Sequence, residues 1–314
     1  MIRPNRTSRI ALAALAALLA AAPMAHAADR SQYDPKRIVT PPIGRIPVVT
    51  PERYTLPNGA VVFLLENHDL PVVRGIAYVP SNPLLTPDDR IGLSGLTGEV
   101  MRSGGTATHS GDMLDDHLAA LGAEVSTGLS ADEGQASFRC LRENTAEVVG
   151  LWADVLRRPA FPDDKIELAK VGLRRGIASR NDELMGILQR VARQAVYGKA
   201  NPYARQPEYA TIEPITAADC RALHGKVFVP ERMIIAIYGD FDRAQMKTLL
   251  AAQLGDWARG TSSLPPKVEL PAAVTPRLVF APKDDVTQSG IVLAQPGLRA
   301  DDPEATAMDV LEQA

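Results

Sequence analysis

Cysteine is nearly missing from this 314-residue chain. There are two, Cys140 and Cys220, and no C-x-x-C pair. That excludes a disulfide framework and a cysteine-built zinc site. Cys140 falls in a strand-like run and Cys220 in a helix-like run, so a single bridge and two buried thiols both remain open. The chain also lacks a G-x-S-x-G elbow and a P-loop. Its "GLSGLTGEV" stretch has neither a G-x-G-x-x-G pattern nor a strand at the right offset before it, which argues against dinucleotide binding. There is no surplus of positive charge: 34 Lys and Arg stand against 37 Asp and Glu, net −3. Nucleic acid is therefore a poor partner. Beyond residue 27 no apolar run is long enough to cross a bilayer.

What is present begins with a targeting segment. Arg3, Arg6 and Arg9 precede an apolar, Ala-rich run from Ile10 to Ala22, and Ala25-His26-Ala27 makes an A-x-A cleavage site. Residues 1–27 read as a secretory signal peptide, so the mature chain is expected in the periplasm or outside the cell. Cleavage near Ala27 lowers Lys and Arg from 34 to 31 against 37 acids, a net charge of −6. Residues 28–50 read as a polar, Pro-rich extended leader.

The body alternates strands and helices. "RYTLPNGAVVFLLENH" predicts a hairpin turning at Pro57-Asn58-Gly59, and "PVVRGIAYVP" a third strand. "SGDMLDDHLAALG" predicts a helix capped by Ser110 and closed by Gly122. "AEVSTGLSADEGQASFRCL" alternates as a strand pair, and "RENTAEVVGLWADVLRRPAF" is an amphipathic helix stopped by Pro159. A long helical stretch follows Pro162, then a helix from Thr216, a buried strand "RMIIAIYGDF" and a helix from Asp242. The strands are linked as hairpins, which gives an α+β class with helices on one face of a largely antiparallel sheet. The expected organisation is a first α+β domain over 51–257, a Pro-rich linker over 258–276, and the start of a second such domain over 277–314. In the last segment "RLVFAP" and "SGIVLAQPGL" are expected strands and 301–314 a helix. About 40 residues rarely bury a core alone, and docking of these elements on the first domain is the alternative.

One helix breaks the usual rule for surface helices. In "GLSGLTGEVMRSGGT" (Gly92 to Thr106), Leu93, Leu96, Thr97 and Val100 share a face, and the opposite face carries Gly95, Gly98, Glu99 and Arg102. A glycine inside a helix costs about 1 kcal/mol relative to alanine, so two on one face call for a reason.

The ordered set of segments resembles the N-terminal half of the pitrilysin/insulinase-type zinc peptidases, which include the mitochondrial processing peptidase. "TLPNGAVVFLLENHDLPVVRGIAYV" resembles the family's opening strands, "GLSGLTGEVMRSGGT" its first helix, and "NPYARQ" a later loop. "VPERMIIAIYGDFD" resembles the last strand of its first repeat, and "TQSGIVLAQPGLRADDPE" the start of its second. The resemblance spans about residues 50–314. It implies an inverted zinc motif, H-x-x-E-H, on the first helix: residues i and i+4 bring two imidazoles to one Zn²⁺, and the glutamate at i+3 activates the bound water. A further acidic ligand is implied about 75 residues on.

Carried onto this chain, the first histidine falls on Gly95, the glutamate on Gly98 and the second histidine on Glu99. The distal ligand falls on Arg175 or Gly176. The expectation is that this chain has no catalytic residues of its own and no cofactor, zinc being held by a homologous partner subunit. The chain is then an exported, non-catalytic subunit that pairs with the zinc-bearing partner to hold extended peptides. A metal-free structural or binding module on the same fold is the alternative, as is a remnant of a peptidase gene. Two accounts of the glycines stay open: room for an approaching neighbour, or drift after the metal was lost. The remaining polar clusters, "HSGDMLDDH" (His109 to His117) and Glu66-Asn67-His68, read as solvated surface.

Overall fold

The structure is a computed structural model that describes residues 44, 49–261, 263–270, 275–299 and 302–312. The signal peptide and nearly all of the leader lie outside the described residues. From Thr50 onward the chain forms one unit. Its strands are β1 (Glu52–Thr55), β2 (Val61–Glu66), β3 (Val72–Pro80), β4 (Glu124–Leu129), β5 (Glu133–Leu141) and β6 (Ile234–Gly239). Its helices of eight residues or more are α1 (Leu93–Ser103), α2 (Gly111–Ala120), α3 (Thr145–Arg157), α4 (Asp163–Ser179), α5 (Leu184–Tyr197), α6 (Ala217–Val227), α7 (Arg243–Leu254) and α8 (Ala305–Glu312).

Local chemistry sets the boundaries. Ser110, Thr216 and Asp242 cap α2, α6 and α7, each side chain accepting from the backbone N–H three residues on; such caps contribute about 1 kcal/mol each. At the end of α2, Gly122 takes the left-handed conformation, φ +57°, which other residues adopt at a cost. The helical stretch after Pro162 is two helices, α4 and α5, broken at 180–183.

The six strands form one sheet in the order β1-β2-β6-β3-β5-β4. All neighbours are antiparallel except β2 and β6, which are parallel, Val61 facing Ile234 through Glu66 facing Gly239. β6 therefore lies between β2 and β3, which follow one another in sequence but do not pair. The sheet is mixed, where hairpin linkage predicted neighbours in sequence order. β6 also differs from the expected fully buried strand. Ile235 and Ile237 face the core, while Ile234 and Tyr238 are about half exposed on the other face.

Helices cover one face. Val62 and Leu64 of β2, Val73 of β3, Ala136 and Phe138 of β5 and Ile235 of β6 point into this layer. There they meet Leu96 and Val100 of α1, Trp152 and Val155 of α3, and Leu250 of α7 in one core. Burying each large aliphatic side chain contributes about 1.5–3 kcal/mol. Trp152 packs on Phe138, ring centroids 5.3 Å apart, and donates its indole N–H to Ala136 O at 3.1 Å, so its one polar atom is satisfied. Cys140 and Cys220 are both buried and free, which settles the pairing question in favour of two separate thiols. Burial pushes both thiols up, away from the thiolate that makes cysteine reactive.

Residues 277–282 and 289–298 form no strand, contrary to the sequence expectation. A strand needs a ladder partner, and among the described residues these stretches have none. Leu278 is 98% exposed and Leu293 96%. The region touches the body at α5, where Arg277 donates to Ala195 O and Gly290 lies beside Leu184 and Leu188. The expected terminal helix is present as α8.

Candidate functional site

α1 lies beside the edge strand β4, and its two sides meet different surroundings. Leu93, Leu96, Thr97, Val100 and Met101 are buried, as the apolar face predicts. Gly98 is buried as well, which corrects its placement on an open face with Gly95 and Glu99. A Cβ at position 98 would stand 2.7 Å from the Gly128 carbonyl carbon and closer still to Leu129 N. The glycine is there because the β4 backbone runs against the helix at that point. Gly95 is the opposite case: it is exposed, and nothing lies within 4 Å of the Cβ it lacks. Glu99, one turn on from Gly95, is also exposed.

Two polar contacts fix α1 against β4, and a third ties it to α2. Thr127 Oγ1 donates to Gly98 O at 2.6 Å. Arg102 Nε donates to Val125 O at 3.1 Å, and its Nη2 reaches Asp115 of α2 at 2.5 Å. One arginine thus joins α1, α2 and the sheet edge. The β4–β5 turn is closed by Ser130 N donating to Glu133 O at 2.8 Å. Antiparallel alternation then turns the backbone groups of Val125, Thr127 and Leu129 away from β5. Arg102 takes the Val125 carbonyl and α1 shields Leu129 N, while the Thr127 backbone is directed off the sheet edge between them.

α4 packs on α1 and sets Ile166, Ala169 and Ile177 into the core, with Leu173 packed against it. Arg175 and Gly176 lie outside that row and are exposed. Among the described residues, neither the Glu99 carboxylate nor the Arg175 guanidinium makes a hydrogen bond or ion pair. A catalytic zinc site takes three protein donors. Gly95 and Gly98 supply none, Glu99 supplies one carboxylate, and Arg175 would add positive charge. These residues do not fit zinc. Among the described residues, no group of three His, Cys, Asp or Glu is placed to hold a metal ion.

"HSGDMLDDH" is a set of structural pairs. Lys165 of α4 bonds Asp112 at 2.7 Å and holds its carboxyl below the usual range. His117 Nε2 meets Glu147 of α3 at 2.7 Å. His68 Nδ1 meets the buried Asp240 at 2.5 Å, and Glu66 accepts from Arg243 N at the start of α7. Sequence reasoning missed Lys170, a buried lysine on α4 that donates to Glu167 and to Glu213 O; its only signal was a charge in an otherwise apolar row.

The sequence model of insulinase (peptidase family M16) matches residues 86–205, which include α1 and the 175/176 pair. That of the peptidase M16 inactive domain matches residues 214–314. The chain is an insulinase-type homologue. An uncharacterized zinc protease of Mycobacterium leprae is 27% identical over 222 residues, 68% of this chain and 48% of that protein. The chain thus spans about half the length of that relative. Among solved structures, the peptidase M16 inactive domain from Pseudomonas fluorescens aligns with a TM-score of 0.65 at 23% identity, over 72% of this chain and 55% of that one. The periplasmic protease PqqL from Escherichia coli aligns with a TM-score of 0.61 at 17% identity, over 76% and 29%. These likenesses are of fold. The insulinase-type homologue described here carries the α1 helix of that fold without an H-x-x-E-H motif. No described helix is long and apolar enough to cross a membrane.

Proposed function

We propose that this homologue is an exported, non-catalytic subunit that works with a zinc-bearing peptidase of the same family and helps to hold extended peptides. The observation that carries the reading is at position 98. The place of the general base is filled by the β4 backbone, and among the described residues no donor set for a metal surrounds it. The chain cannot activate water by that route, yet the edge of β4 is kept in place beside the exposed Gly95 and Glu99. An extended peptide adds to such an edge through its main chain, here at Thr127. Zinc and hydrolysis belong to the partner. The signal-like N-terminus supports export, as does a periplasmic protease among the structures of like fold.

The test is co-purification from the periplasm. A homologue with an intact H-x-x-E-H is expected to come down with this chain, and peptide hydrolysis to arise only in the mixture. The chain alone is expected to contain no stoichiometric zinc. Hydrolysis by the chain alone, or one tightly bound zinc lost on Glu99→Gln, overturns the reading.

A further inference from the structure

The sheet has a second face, turned away from the helices. A shallow cleft of about 840 Å³ lies on it, lined by strand residues and Pro51. Phe63, Leu65, Ile76 and Tyr238 are among the apolar side chains there, and Tyr78 and Ile234 beside them are about half exposed. The parallel pair β2–β6 runs beneath it, and parallel strands are normally covered on both faces. A lone soluble chain rarely leaves a contiguous apolar surface of this kind open.

The cleft also carries charge. Arg74 of β3 and Arg139 of β5 both line it and stand directly opposite each other, an arrangement in which like charges repel. Among the described residues neither guanidinium makes a hydrogen bond or ion pair. Glu124 of β4, opposite Arg139, is the acid among the lining residues. Across the whole face Arg53, Arg74 and Arg139 stand against Glu124 and Glu133.

α8 is a surface of the complementary kind. Ala307, Met308 and Leu311 share one side of it, and Val310 and Leu311 are each 67% exposed. Residues 300–314 hold five acids and no Lys, Arg or His. Among the described residues the carboxylates of Glu304 and Asp309 make no hydrogen bond or ion pair. No residue of α8 lines the cleft of its own chain.

We propose that two copies of this chain associate by exchange, the α8 of each lying across the open sheet face of the other. Its apolar side covers Phe63, Ile76 and Tyr238, and its carboxylates neutralise Arg74 and Arg139. A helix of eight residues is about 12 Å long, so one such contact falls short of the roughly 1,000 Å² of a specific interface. A two-fold pair makes the same contact twice. The inference does not rest on the subunit role above, which is argued from α1 and position 98.

The test is sedimentation equilibrium of the purified chain over a concentration series, expected to show a dimer. Leu311→Asp changes an exposed side chain and should weaken the dimer about tenfold or more. Arg74→Gln with Arg139→Gln should weaken it about fivefold. Leu293→Asp, equally open but on neither surface, should leave it unchanged. The native cysteines are buried, so a short bismaleimide should link Ala236→Cys chains to Ala307→Cys chains when the two are mixed. A chain that stays monomeric throughout overturns the proposal; linkage within single chains of the double variant then assigns the face to the chain's own α8. A dimer indifferent to Leu311→Asp, one broken equally by Leu293→Asp, or no linkage in the mixture also overturns it.

Discussion

The two sides of α1 hold the same residue type for different physical reasons. At Gly98 the helix meets the Gly128–Leu129 backbone, and a single methyl group has nowhere to go. At Gly95, less than a turn earlier, the helix faces open space. One glycine is required by packing within the chain, and the other meets no neighbour that requires it. Two glycines three residues apart on one helix therefore need not share a reason: the strand beside it fixes Gly98, and Gly95 has no neighbour to fix it.

The comparison can be broken most directly by writing the H-x-x-E-H pattern into α1. Gly98→Glu, alone or with Gly95→His and Glu99→His, would force a charged side chain into the β4 backbone. It should lower stability by about 3–5 kcal/mol, read as the unfolding midpoint in urea, and the triple variant should gain no peptidase activity. A triple variant that folds with native stability would show that the strand yields easily. Gly98→Ala asks the same question with one methyl group and should cost about 1–3 kcal/mol.

Acid sharpens the contrast by thinning the margin against which it is read. His224 is buried beside Phe161 and Phe228 and donates from Nε2 to Leu156 O at 2.9 Å. Burial lowers its pKa, so the native state keeps it neutral. The unfolded chain takes a proton below about pH 6.5. Its contribution is thus complete above that pH and is lost as pH falls, at up to about 1.4 kcal/mol per pH unit. Unfolding midpoints between pH 7 and 5 should follow this slope, and His224→Gln should flatten it.

On the open side the effects are small and of opposite sign. Gly95→Ala should stabilise by about 1 kcal/mol, since alanine is the better helix former and meets no neighbour. Glu99→Gln should stay within about 0.5 kcal/mol of the parent, as for other surface changes without a partner. A loss at Gly95→Ala would mean that something not described here covers that face.

Much of the fold was legible because it was local. The caps at Ser110, Thr216 and Asp242, the turn at Asn58-Gly59 and the alternation in β3 and β5 each need only a few neighbouring residues to be read. The place of β6 was not legible, because its pairing with β2 and β3 depends on residues far apart in the chain. Gly98 escaped for another reason. A glycine adds nothing to a hydrophobic face, so a helical wheel could not tell the side pressed on a strand from the side in solvent. The strands expected at 277–282 and 289–298 had the right residue pattern, but a pattern supplies only one half of a ladder. At the candidate site, the residue types at 95, 98, 99, 175 and 176 could be read directly. The three-dimensional reason for one of them could not.

The slot filled by β6 has a consequence for how the molecule forms. β2 ends at Glu66 and its parallel neighbour begins at Ile234, so the central lane of the sheet is the last to be laid down. Until it arrives, β2 and β3 have no strand between them, and the apolar faces of both are only partly covered. Such long-range pairing slows folding, because the chain must close a large loop before the contact repays it. A chain synthesised from its N-terminus passes through that half-built stage every time, and β6 is the piece that ends it.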